Sequence, residues 1–145
     1  MAKKQNYRPC QSTKGGHFLA LYDDMVESKA WEQLTANDTV LYIAIAIKFK
    51  PKYINGILVT TNENDLSIVK KEYLKLMHQT TFFKAIDHLI DLGFIKVVES
   101  RYALRESTIY GLSNMWYYYD TNEFIIKNEC KRVKNRTSNV ISNYF

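Results

Sequence analysis

The sequence predicts a mainly helical α+β fold, with a core of three helices followed by a two-stranded β-hairpin. Three observations carry this expectation. Residues 79–92, QTTFFKAIDHLIDL, are apolar along one arc of a helical wheel and polar along the other. Gly93 stops that segment, because a glycine takes up the left-handed conformation that ends a helix. Two strand-like runs then follow, residues 94–98 and 108–113, joined by a polar connection.

The elements read as follows along the chain. Residues 1–16 have no apolar periodicity and predict a loose basic arm. Phe18 to Tyr22 reads as a short extended lead-in. Residues 23–30 begin with two acids and carry the apolar pair Met25/Val26, which suits a short helix with negative charge at its positive end. Trp31 and Leu34 look like core anchors. Thr35 then caps a helix, with Asp38 three residues on as its box partner. Val40, Leu41, Ile43, Ala44, Ile45, Ala46 and Ile47 make this helix apolar on most sides. Pro51 and Asn55-Gly56 end it and make a turn, and residues 57–60 predict a short strand. Asn62 is the expected cap of a second core helix, with Leu66, Val69 and Tyr73 on one face and Lys70, Lys71 and Glu72 outside. In the third helix the apolar arc holds Phe82, Phe83, Ala85, Ile86, Leu89, Ile90 and Leu92. The polar arc holds Thr80, Thr81, Lys84, Asp87, His88 and Asp91. A helix around residues 122–133 and a polar basic tail are expected to complete the 120–145 extension.

An apolar content of 46% supports a packed core and argues against global disorder. The length of 145 residues suits one domain, here 17–119. Net charge is +5, but it is uneven. Residues 1–16 hold four basic residues and no acid, and residues 126–145 hold five basic residues against one acid, which leaves a net −3 over 17–125. Basic tails of this kind often meet nucleic acid, and otherwise serve solubility. Cys10 and Cys130 lie in no paired-ligand motif, so no zinc site is implied, and the two read as one terminal disulfide or as two free thiols of a reducing compartment. The basic start is followed by no apolar run, and the run Val40 to Ile47 is too short for a bilayer. A cytoplasmic protein with no membrane partner is therefore expected. No P-loop, GxGxxG, GxSxG or HExxH is present, and no cofactor or enzymatic activity is implied.

Three helices, a short strand after the first and a hairpin after the third describe a winged helix-turn-helix: a three-helix core plus a β-hairpin wing, here with N- and C-terminal extensions. The stretches YDDMVESKAWEQL (Tyr22 to Leu34), TFFKAIDHLIDLGFIKV (Thr81 to Val97) and YGLSNMW (Tyr110 to Trp116) carry a resemblance. In order and spacing the chain resembles the winged helix-turn-helix domains of plasmids, phages and conjugative elements, including the N-terminal domains of replication initiators. The resemblance implies double-stranded DNA as partner and a role in replication, conjugative transfer or transcription control. The small footprint of one domain adds the expectation of a homodimer on paired half-sites. The net −3 core and the acidic face of the third helix motivate the rival reading of a protein-interaction module tethering a replication or relaxase complex. The sequence departs from that pattern in two ways. The wing lacks glycines and dense basic residues, and the third helix carries Asp87 and Asp91 on its polar arc.

Thr80, Thr81 and Lys84 are the leading candidate DNA contacts, since the first half of the third helix is the end that enters a groove. Threonine bonds phosphate or meets a thymine methyl, and lysine reaches phosphate or guanine. The competing reading is a solvated helix face. Gln79 projects nearer the apolar arc, and His88 reads as a surface histidine or a further contact. Lys70 and Lys71 on the second helix, and Arg101 and Arg105 in the wing, are candidate phosphate clamps or ordinary exposed cations. Trp116 to Tyr119 suits core closure or a subunit contact better than base stacking.

Overall fold

The computed structural model describes residues 17–101 and 105–136. The expected basic arm, the tip of the wing and the end of the tail lie outside them. Among the described residues the fold is α+β, with five helices and two separate antiparallel hairpins. No helix among them is long and apolar enough to cross a membrane.

Residues 23–32 form two single-turn helices, α1 (Asp23–Val26) and α2 (Lys29–Glu32), where one helix was expected. Ser28 causes the break. Its backbone is extended, its hydroxyl donates to the Met25 carbonyl at 2.6 Å, and the same oxygen accepts from the Trp31 amide at 3.2 Å. This local capping competes with a continuous helix. Helix α3 (Ala36–Ala46) begins as expected, with Thr35 accepting from the Asp38 amide and the Asp38 carboxylate accepting from the Thr35 amide. Leu41, Tyr42, Ile45 and Ala46 are buried, while Val40, Ile43 and Ile47 stay exposed on the opposite side.

The Asn55-Gly56 pair closes a full hairpin rather than leading into one strand. Strands β1 (Lys52–Ile54) and β2 (Ile57–Thr60) pair antiparallel, and both turn residues have positive φ, as a type I′ turn requires. Asn62 does not cap a helix. Its side chain accepts from the Lys50 amide at 2.6 Å and donates to the Lys48 carbonyl at 2.8 Å, clipping the base of this hairpin. The expected second core helix is shortened to α4 (Lys70–Tyr73), because Leu66 spends its backbone elsewhere. Its amide and carbonyl both bond to Tyr110, so Leu66 acts as a one-residue third strand beside the second hairpin.

Helix α5 (Gln79–Asp91) forms as the periodicity predicts, with His78 as N-cap. Phe82, Ala85, Ile86, Leu89 and Ile90 are buried against α3 and the rest of the core. Gly93 has φ +84°, and the Phe94 amide reaches back to the Leu89 carbonyl at 3.0 Å. That is the glycine-terminated helix end expected from sequence. Strands β3 (Ile95–Glu99) and β4 (Ile109–Leu112) then pair antiparallel, with a bulge between Val97 and Glu99. A four-ring cluster closes the core. Trp31 and Tyr42 meet Phe94 edge-on, and Trp116 stacks on Phe94 at 6.2 Å. Tyr42 and Phe94 are buried and contribute roughly 1.5–3 kcal/mol each through burial alone, and the half-buried Trp31 and Trp116 contribute less.

The helix expected around 122–133 does not form. After a turn at 119–123, residues 124–136 run as irregular chain with two single 3-10 turns, Asn128–Cys130 and Val133–Asn135. This chain lies against β3 and reaches α5 through Arg132.

Candidate nucleic-acid interface

Helix α5 owes its start to His78, whose ring nitrogen Nδ1 accepts the Thr80 amide at 3.2 Å. Gln79, Thr80 and Lys84 are exposed, and Thr81 is half-buried beside them. Thr80 and Lys84 stand one turn apart and form an outward ridge opposite the buried face. The two flanks of this ridge are closed by other parts of the chain.

One flank meets the start of α3. The His88 ring pairs with the carboxylate of Asp38, which is only 3% exposed and also holds the Thr35 amide. His88 is thereby turned toward α3. Sequence periodicity placed it on the polar arc but could not show that partner, 50 residues away.

The other flank meets the C-terminal segment. Arg132 donates from Nε and a terminal nitrogen to the two oxygens of Asp87, at 2.6 and 2.7 Å. The same guanidinium lies 4.6 Å from the centre of the Phe83 ring. Both ionised groups are largely enclosed. Burial pushes the Asp87 carboxyl up, but hydrogen bonds from the Arg132 and Asn135 side chains outweigh it and hold the group below the usual carboxylate range. Asp91, one turn on, is shifted the other way. Burial raises it, the nearby Asp87 adds to this, and Lys131 partly offsets it. The acids of α5 therefore face cations supplied by the segment 131–136.

Sequence reasoning missed Arg132, Lys131 and Lys134 as part of this face. Their signal was the basic run KRVKNR, read there as tail. The remaining candidates divide. Lys71 is exposed on α4. Arg101 is tied to Glu99 at 3.5 Å and to Glu106 at 3.1 Å, within the hairpin. Lys70 and Arg105 come together with Lys134 at the lining of one cavity between α4, α5 and the loop end of the β3–β4 hairpin. Among the described residues no group of three His, Cys, Asp or Glu side chains is placed to hold a metal ion, and Cys130 is a free thiol. No protein-family model matches the chain, and comparison with curated proteins and with solved structures gives no significant match.

Proposed function

We propose that the protein is a winged helix-turn-helix, sequence-specific double-stranded DNA-binding protein of a mobile genetic element, cytoplasmic, and acting in replication, transfer or transcription control. In this reading α5 is the groove-reading helix and β3–β4 is the wing. Thr80, Thr81 and Lys84 meet base edges or phosphates, and Gln79 lies at the entering end. The observation that supports it most is the ridge on α5. Thr80 and Lys84 point outward, while the adjacent carboxylate of Asp87 is cancelled by Arg132. Of the two acids that weigh against a phosphate-facing helix, Asp87 is thus paired within the chain, and Lys131 lies near Asp91. Lys131 and Lys134 add positive charge on the same side. A homodimer on two half-sites supplies the footprint that one domain lacks.

The test is footprinting and anisotropy on DNA flanking the protein's own gene. Lys84→Glu is expected to weaken binding about tenfold or more, since it exchanges a favourable contact for a repulsive one. Binding that neither weakens with salt nor responds to Lys84→Glu defeats the reading.

A second reading has its own observation. Tyr53, Ile54, Ile57, Leu58 and Val59 of the β1–β2 ribbon are each more than half exposed. That apolar ribbon favours a winged-helix protein-interaction module tethering a replication or relaxase complex. In that case Ile57→Lys abolishes partner capture and leaves DNA binding untouched.

A further inference from the structure

Beside α5 lies a cavity of about 530 Å³, within the range typical of small-molecule sites. Its inner wall is aromatic. Tyr73 and Phe82 stack at 3.7 Å with their planes 9° apart, Phe83 meets both edge-on, and Tyr110 closes the back. Burial pushes the Tyr110 hydroxyl up to about 12, so it stays neutral and able to donate. Lys70, Arg105 and Lys134 also line it, and none of the three has an ion-pair partner among the described residues. The remaining charges lining the cavity are matched, Arg132 by Asp87 and Glu106 by Arg101.

An aromatic wall with three unmatched cations constrains the occupant. A neutral apolar ligand would bring the ammonium and guanidinium groups against greasy surface without compensation. A bare inorganic anion would leave the rings wet. We propose that this cavity binds a small aromatic phosphate, of which mononucleotides are the commonest kind. The ring packs on Phe83, the half-buried ring of the wall, and the phosphoryl group sits among Lys70, Arg105 and Lys134. Such an occupant touches α4, α5, the loop end of the β3–β4 hairpin and the C-terminal segment at once.

Isothermal titration of the full chain, with no DNA in the cell, tests this with AMP, dTMP and 4-nitrophenyl phosphate, against adenosine and inorganic phosphate. At least one aromatic phosphate is expected to bind more tightly than either fragment. Lys70→Glu and Arg105→Glu are each expected to weaken it about tenfold, the scale of a lost charge-assisted hydrogen bond. Both positions are exposed, and circular dichroism checks that the variants remain folded. Inorganic phosphate binding as tightly as AMP, affinities unmoved by both variants, or no binding by any of the three aromatic phosphates overturns the proposal. The result is independent of whether the protein binds duplex DNA.

Discussion

Asp87 and Arg132 decide the charge of one side of α5. Their fork-shaped pair keeps some contact with water, so its removal costs about 1–2 kcal/mol, less than a fully enclosed pair. The pH dependence follows from the direction of the shift. The folded carboxyl titrates below its unfolded value, so the pair stabilises the fold above the ordinary aspartate pKa, roughly 4, and that stabilisation is lost as the pH falls through the folded pKa. Asp87→Asn is therefore expected to lower the thermal midpoint at pH 7, with the gap to wild type closing in strongly acidic buffer. Thermal scans across pH 2–7 check this, and a gap that persists at the acid end contradicts the ion-pair account. None of this was legible in the sequence. Local periodicity places Asp87 on the polar arc correctly, but a partner from the far side of the chain leaves no local mark. His88 shows the same limit, since the spacing that exposes it in an isolated helix also aims it at Asp38.

At the level of elements, what was legible was what is locally determined. Helix α5, its glycine stop, the Thr35–Asp38 box and the two hairpin strands follow from patterns within about a dozen residues. Asn62 was misread because its side chain satisfies two backbone groups of the preceding loop, a use that looks identical to a cap in one dimension. Leu66 and Tyr73 are both buried, as the spacing required, but Leu66 is held by Tyr110 and cannot also sit in a helix. Gly93 gives the sharpest prediction at this scale. A Cβ there would lie 2.6 Å from the Trp116 amide nitrogen and 2.7 Å from the Met115 carbonyl carbon, both backbone, at a φ that side chains resist. Gly93→Ala is expected to cost about 3 kcal/mol or more, from left-handed strain plus the displaced Met115–Tyr118 turn. Urea denaturation measures it, and a loss under 1 kcal/mol would show that the turn moves freely.

For the whole molecule, charge and exposure are divided between opposite purposes. The excess cations of 126–136 are brought beside the acids of the core, while the β1–β2 ribbon leaves its apolar side chains open. Under the DNA-binding reading, Lys131 and Lys134 contribute through released counterions. Lys131→Gln with Lys134→Gln is expected to weaken binding at all sequences alike and to flatten the slope of log K against log salt by roughly 0.9 for each phosphate contact removed. A salt titration with specific and scrambled duplexes checks it, and a change confined to the specific duplex assigns these lysines to base recognition instead.

The bond between Asp87 and Arg132 spans 45 positions. A ribosome therefore delivers α5 long before the guanidinium that neutralises it. Under the DNA-binding reading, a chain broken off before position 132 keeps the Asp87 carboxylate without its guanidinium partner and binds duplex DNA more weakly than the full chain.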